Sequence, residues 1–96
     1  MLEKLDNKTV RSSAGFIVRV LNTHLIQYIE GERMLTVEIE GGLIKDGKVH
    51  WLLYAETISG WLPPHESDSF TASDKSMVLK NISQSLSVLD MVHEIA

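Results

Sequence analysis

The sequence predicts an α+β domain, in which an antiparallel sheet of about four to five strands carries one long C-terminal helix packed on one face. Two observations predict this fold. Runs rich in β-branched and aromatic residues, separated by glycine turns, occupy the chain from Gly15 to Tyr54. A single segment of helical periodicity then follows Pro63-Pro64. Strands that are separated in sequence from the helix are typical of α+β proteins.

The length and composition indicate one folded domain. The chain has 96 residues, of which 44% are hydrophobic and 23% are charged, as in ordinary soluble domains. The first residues, MLEKLDNKTVRSS, have neither strand nor helix periodicity. We therefore expect a flexible N-terminal arm over residues 1–13 and a single α+β domain over residues 14–96.

The first predicted strands are marked by alternation and by a glycine turn. Residues 15–21 (GFIVRVL) form one strand, and HLIQYIE and RMLTVEIE flank Gly31-Glu32 as a hairpin. In the second arm of that hairpin, apolar and polar residues alternate, which predicts one buried and one wet face. The buried positions are Leu35, Val37 and Ile39, and the wet positions are Thr36, Glu38 and Glu40. The sheet is therefore expected to be covered on one side only.

Glycine and proline organise the middle of the chain. Gly41-Gly42 is predicted to end the preceding strand, because glycine weakens a strand interior. Asp46-Gly47 is typical of a type I′ hairpin turn, which needs a positive φ at both residues. The strand after it, KVHWLLYAE, is apolar on both faces and therefore suits a central position, with Trp51 in the core. Pro63-Pro64 then ends regular structure, since proline has no N–H to donate.

The helix is predicted to begin at Thr71-Ala72-Ser73-Asp74, which is a variant of the capping box. The apolar residues after it recur every three or four positions and draw one stripe, which is expected to pack on the sheet. The stripe consists of Val78, Ile82, Leu86 and Leu89. The final residues, MVHEIA, are compatible with a short edge strand, although so short a segment does not decide this.

The charge balance and the absence of cysteine restrict the partners and the compartment. Acidic residues outnumber basic residues by 13 to 9, so direct nucleic-acid binding, which depends on clustered lysine and arginine, is not expected. A basic protein partner is compatible with this charge. The chain has no cysteine, its N-terminus lacks the apolar core of a signal peptide, and no apolar run approaches the roughly 20 residues of a membrane span. We expect a cytoplasmic protein without membrane contact.

The sequence contains no nucleophile beside a base, no glycine-rich phosphate loop and no closely spaced metal ligands. His50 lies in the predicted central strand and is expected to be a hydrogen-bonded structural histidine rather than a base. Glu38 and Glu40 share a strand face, as an acid–base pair requires, but alternating exposed positions produce such pairs routinely. The histidines, which are scattered, are His24, His50, His65 and His93. We expect no catalytic residues, no metal and no cofactor.

The segment from Trp61 to Asp68, with the sequence WLPPHESD, is the most distinctive in the chain. Its two prolines restrict the backbone, so the loop loses little entropy on binding, and an aromatic residue, a histidine and two acidic residues surround them. This is the composition of a recognition loop. Alternatively, Trp61 lies in the core and the prolines only direct the chain from sheet to helix. Composition leaves both interpretations open.

At this loop the sequence resembles the immunity protein 74 family of bacterial polymorphic toxin and contact-dependent inhibition systems. The resemblance rests on Trp-x-Pro-Pro-His at residues 61–65, on the acidic residues after it, and on Leu79-Lys80-Asn81-Ile82 in the helix. It is strongest over about residues 60–83. The hairpin from Ile26 to Gly31, with Met34 soon after, and the apolar strand that leads to Trp61 also fit.

This chain departs from the family pattern at two places. A basic residue is expected early in the helix, where only Lys75 is available. A turn that contains glycine is expected before a final strand, where this chain has Val88-Leu89-Asp90.

The resemblance implies an immunity protein that binds and neutralises a cognate toxin C-terminal domain, and the acidic charge suits a basic toxin such as a nuclease. The family has no catalytic residues, so the candidate site residues are partner contacts. In the loop they are Trp61, His65, Glu66 and Asp68, and on the hairpin they are Glu30, Glu32, Glu38 and Glu40, which we expect to form an acidic surface.

Two other functions stay open. One is an interaction module or subunit that is unrelated to immunity and uses the exposed sheet face. The other is a small enzyme or ligand-binding domain with a pocket lined by His50, Tyr54 or the paired glutamates. The sequence identifies neither the toxin nor the oligomeric state.

Overall fold

A computed structural model describes residues 1–96, apart from the side chains of residues 43–45. The described chain contains a seven-stranded sheet, a short 3-10 helix and one α-helix. The strands are β1 (Leu2–Asp6), β2 (Thr9–Ser12), β3 (Phe16–Val20), β4 (Leu25–Glu30), β5 (Arg33–Lys45), β6 (Lys48–Tyr54) and β7 (His93–Ile95). The 3-10 helix spans Ala55–Thr57, and the helix α1 spans Ala72–Val88.

The sheet follows chain order from β1 to β7, and every neighbouring pair is antiparallel except the parallel pair of β6 and β7. The α+β class and the C-terminal helix agree with the sequence prediction, but the prediction of four to five strands is wrong. The additional strands are β1 and β2 in the segment 1–13, while the undecided C-terminal segment forms the three-residue strand β7.

The segment 1–13 is therefore part of the sheet, where the sequence predicted an arm without regular structure. Val10 of β2 lies opposite Val18 of β3, and both side chains are fully buried. The Asp6 carboxylate accepts a hydrogen bond of 2.8 Å from the Lys8 backbone N–H in the turn between β1 and β2. Strand β2 was missed because polar side chains surround Val10, the one apolar residue of that strand.

Strand β5 continues through Gly41 and Gly42, where the sequence predicted its end. The pairing with β6 shifts register between Glu40 and Leu43, so the two glycines form a bulge and the strand resumes after it. Gly42 has a φ of 90°, a conformation that favours glycine. A Cβ atom at Gly41 would overlap the ring of Trp51, which lies directly against this position. The bulge and the aromatic ring explain why glycine is needed here.

The predicted turns are confirmed. Glu30 and Arg33 close the hairpin of β4 and β5 around Gly31, which has a φ of 63°. Asp46 and Gly47 have φ values of 53° and 75°, as a type I′ turn requires. Strand β6 has neighbours on both sides, as its apolar composition predicted.

Helix α1 begins at the predicted capping box. The Asp74 backbone N–H donates to Thr71 Oγ1 at 3.1 Å, and the Thr71 N–H donates to Asp74 Oδ2 at 2.8 Å. This second bond is the main reason why the pKa of the Asp74 carboxyl lies below its ordinary value. The predicted apolar stripe is buried, since all four of its members are at most 8% exposed.

The end of α1 explains how the chain turns without the glycine that the family pattern led us to expect. Asp90 has a φ of 59°, which aspartate tolerates better than most side chains. The Met91 N–H donates to the Leu86 carbonyl at 2.9 Å and the Asp90 N–H donates to that of Ser87 at 3.1 Å, which together form a Schellman motif. The chain then enters β7.

The helix covers one face of the sheet, as predicted. Along β4, Ile26 and Tyr28 are fully buried beneath the helix, whereas Gln27 and Ile29 on the opposite face are half-buried. Among the described residues, no helix is long and apolar enough to cross a membrane.

Candidate protein-binding surface

Trp61 lies in the core, so the structure decides between the two interpretations of its loop. Its side chain is only 6% exposed, and its ring centroid lies 6.4 Å from that of Tyr28 and 5.4 Å from that of Phe70. Trp61 Nε1 is buried and has no hydrogen-bond partner among the described residues. Trp61 is therefore a core residue, and a partner could contact its ring only by pulling it from this packing.

The rest of the loop is fastened to the hairpin of β4 and β5. Arg33 Nε donates to Asp68 Oδ2 at 3.0 Å, and the guanidinium carbon of Arg33 lies 5.7 Å from the centroid of the Trp61 ring. His65 Nδ1 lies 3.3 Å from the same Asp68 oxygen. We call Arg33, Trp61, His65 and Asp68 the loop clip. Arg33 was missed by sequence reasoning, because nothing in the sequence pairs it with an acid so distant in the chain.

Glu66 is the one candidate of this loop that stays exposed outside the clip. Pro63 and Pro64 have no backbone N–H, so they cannot donate hydrogen bonds to the sheet. The nearest backbone bond to the sheet before them is the one from the Leu62 N–H to the Met34 carbonyl, at 2.8 Å. The distinctive composition of this segment therefore builds a connection between sheet and helix, and it leaves one free carboxylate.

The four hairpin glutamates do not form one acidic surface, as the sequence led us to expect. Glu30 accepts a hydrogen bond of 2.8 Å from the hydroxyl of Tyr28, which accepts one of 3.0 Å from Asn81 of the helix. Burial raises the pKa of the Tyr28 hydroxyl, so this group stays a donor to Glu30. Glu32 is exposed in the hairpin turn. Glu30 and Glu32 thus both lie at the turn end of the hairpin, far from Glu38.

Glu38 lies on the opposite face, where it pairs across the sheet with Tyr54 of β6. The Tyr54 hydroxyl donates a short hydrogen bond to Glu40, and Glu56 of the 3-10 helix adds a third carboxylate. The bond to Glu40, together with the charges of Glu40, Glu38 and Glu56, raises the pKa of Tyr54. Among the described side chains, no ion pair joins any of these carboxylates to a cation. We call Glu38, Glu40, Tyr54 and Glu56 the acidic cluster.

The acidic cluster borders a shallow cavity of about 440 Å³, which His24, Ile39 and Thr57 also line. The Glu38 backbone N–H donates to Thr57 Oγ1 at 2.9 Å, and this hydroxyl donates to the Tyr54 carbonyl at 2.7 Å. The 3-10 helix is thereby held against β5. Sequence reasoning named Tyr54 only as a pocket residue and missed Glu56, although its position directly after an apolar strand was visible.

The histidines are separated in the structure as they are in the sequence. His93 Nδ1 donates to the Met91 carbonyl at 2.8 Å, so Nε2 accepts the hydrogen bond of 2.6 Å from the Ser83 hydroxyl, which joins β7 to the helix. His50 Nδ1 is buried without a hydrogen-bond partner among the described residues, which differs from the hydrogen-bonded histidine that we predicted. In the described part of the chain, no group of three or more potential ligands could hold a metal ion.

The chain was compared with protein-family models, with curated proteins and with solved structures. The model of the family described as Immunity protein 74 matches residues 15–95, which include β3 through β7 and the whole helix. No curated protein and no solved structure gives a significant match. The family match spans most of the chain, including the C-terminal part after residue 83 where the resemblance seen in the sequence was weaker. The chain therefore belongs to the immunity protein 74 family.

Proposed function

We propose that this protein neutralises a cognate toxin domain by binding it stoichiometrically in the cytoplasm of the toxin-producing cell. The observation that carries this proposal is the family match over residues 15–95. An immunity protein must recognise one partner tightly, and a rigid sheet with one uncovered face offers a preorganised surface for that task.

Inhibition without catalysis is part of the proposal. The match to an immunity protein family, whose members act by binding, supports this part. The contact of Ser83 with His93 joins α1 to β7, and His93 Nδ1 is bound to the Met91 carbonyl and not to a carboxylate, as a catalytic triad would require.

We further propose that the toxin is basic and that it is a nuclease. A nuclease binds phosphate through clustered lysine and arginine, and such a surface attracts a carboxylate-rich protein that competes with nucleic acid. The net charge of −4 and the acidic cluster, whose carboxylates have no cationic partner among the described side chains, support this part.

The test first asks whether a neighbouring gene encodes a toxin domain, and it then uses that domain. Co-expression of this chain should restore growth of bacteria that produce the toxin domain, and calorimetry of the purified pair should give an equimolar complex. Continued killing together with no measurable binding would refute an immunity function. Recovery of a metabolic or regulatory complex in a pull-down would instead favour an interaction module of another kind.

A further inference from the structure

The sheet has a face that α1 does not cover, which we call the outer face. In antiparallel pairs, residues directly opposite each other project from the same face, so the pairing defines three rows that cross the sheet. The first row is Ile17, Ile29 and Met34; the second is Arg19, Gln27 and Thr36; the third is Leu25, Glu38 and Tyr54. Glu40 and Leu52 follow as a further pair.

The outer face combines apolar side chains that pack against one another with the exposed side chains of Arg19, Glu38 and Glu40. Its apolar members are all half-buried by their neighbours: these are Ile17, Leu25, Ile29, Met34, Leu52 and Tyr54. Gln27 Nε2 lies 2.7 Å from Met34 Sδ, which ties two rows together. Flat, ordered side chains of this kind lose little entropy when a partner covers them.

The two ends of the outer face differ in charge, because the row of Ile17, Ile29 and Met34 at one end has no charged side chain. At the end near the turn after β3, the acidic cluster places Glu38, Glu40 and Glu56 around the Tyr54 ring. Glu38 and Glu40 are two residues apart on the same side of one strand, so their charges repel each other. In the isolated domain the Tyr54 hydroxyl donates a hydrogen bond to Glu40, and a cationic partner would in addition convert the repulsion between the carboxylates into attraction.

We infer that the outer face is the toxin-binding surface, and that a lysine or arginine of the toxin binds over Tyr54 among the three carboxylates. This inference rests on the proposed function and names its contact surface. The half-buried tyrosine supplies an aromatic face for a cation, and the carboxylates supply acceptors around it. The rest of the outer face completes the interface beside this charged end, first with the polar row of Arg19, Gln27 and Thr36 and then with the apolar row that begins at Ile17. The loop clip and the hairpin turn lie outside it.

The test compares two pairs of charge reversals that change the net charge equally. E38K/E56K alters the acidic cluster and leaves the bond between Tyr54 and Glu40 in place, whereas E32K/E66K alters two exposed carboxylates at the hairpin turn and the loop. All four side chains are exposed, so both variants should fold, which thermal unfolding checks. The probe is the toxin domain that the search of the neighbouring genes identifies, and the readout is its affinity at several salt concentrations.

We expect E38K/E56K to weaken binding by on the order of 100-fold and to flatten the salt dependence, while E32K/E66K changes affinity less than about threefold. Equal weakening by the two variants would mean a diffuse effect of net charge and would overturn the inference. So would weakening by E32K/E66K alone, which would place the contact on the loop. Unchanged affinity of E38K/E56K refutes only the surface, whereas no binding by the unaltered protein refutes the proposed function together with it.

Discussion

Arg33 and Asp68, which are 35 residues apart in the chain, are joined by a hydrogen bond of 3.0 Å between Nε and Oδ2. Arg33 is the first residue of β5, and Asp68 lies in the segment before α1. The bond therefore connects the sheet to the segment that leads into α1. Because Arg33 also covers the Trp61 ring, one side chain secures both the aromatic and the charged part of the loop.

Charge reversal at Asp68 is predicted to lower stability, while reversal at Glu66 is not. D68K would place a cation beside Arg33 and His65, but the two partners of the ion pair are 45% and 35% exposed, so solvent screening limits the loss to about 1 kcal/mol. E66K changes an exposed side chain and serves as the matched control. Urea unfolding measures both. Equal stabilities of the two variants would mean that the ion pair of Arg33 and Asp68 contributes nothing.

Gly41 is predicted not to tolerate even alanine. The added methyl group would overlap the Trp51 ring, and the ring would have to move from the bulge, at a cost of about 1–3 kcal/mol. The same substitution in a W51L background should cost less, because the smaller side chain leaves room. A double-mutant cycle measured by chemical denaturation tests this coupling. Identical costs in the two backgrounds would exclude the ring as the cause.

Thr71 is predicted to stabilise the start of the helix. T71A removes the acceptor of the Asp74 N–H and should cost about 1 kcal/mol, whereas S73A, at an exposed position in the same turn, should cost much less. The low pKa of Asp74 gives a second signature: its stabilising contribution is present above the unfolded pKa near 3.8 and is lost as the pH falls through the folded value. D74N, which removes this carboxylate, should therefore lose less stability than the unaltered protein when urea unfolding at neutral and acidic pH is compared, whereas T71A keeps the main-chain N–H that binds Asp74.

Tyr28 is predicted to make the protein sensitive to alkali. Burial raises the pKa of its hydroxyl above the ordinary value of 10.0, so the stability that the protonated group contributes is fully present below that pH. This stability is lost as the pH rises toward the pKa of Tyr28 in the folded protein, because the same hydroxyl ionises at a lower pH in the unfolded chain. Y28F should cost about 1–2 kcal/mol at neutral pH, since it removes the partner of Asn81 and Glu30.

The alkaline effect needs a control because the chain has two tyrosines. Y28F should flatten the fall of unfolding free energy with rising pH more than Y54F does, since Tyr28 is fully buried and Tyr54 is half-buried. Urea unfolding monitored across the range in which tyrosinate absorbance appears measures both variants. A steeper fall in Y28F than in the unaltered protein would contradict the assignment.

The sequence predicted those elements whose local chemistry is decisive. Asp46-Gly47 specifies its turn through positive φ at both residues, and Thr71 with Asp74 specifies the helix start through reciprocal hydrogen bonds. Strand β2 was missed because its burial depends on pairing with β3, which short-range periodicity does not record. Gly41-Gly42 was misjudged because a bulge and a strand end have the same local composition.

The candidate site was predictable in composition but not in arrangement. Alternation placed Glu38 and Glu40 correctly on a wet face, yet only the register between β5 and β6 brings Tyr54 between them. The charged and aromatic residues of WLPPHESD suggested recognition, while most of them stabilise the loop instead. The sequence shows which side chains are charged, but the ion-pair partner of each one depends on tertiary structure, as with Arg33 and Asp68.

The N-terminal hairpin of β1 and β2 has a practical consequence for work with this family. The similarity to the family begins at residue 15, but Val10 is as deeply buried as any residue in the sheet. A protein trimmed at that similarity boundary would expose the backbone donors and acceptors of β3, and such an open strand invites aggregation. In the untrimmed protein, β1 forms this edge of the sheet, and the charges of Glu3, Lys4 and Asp6 discourage its pairing with a further strand. The unit that folds thus extends beyond the segment that matches the family.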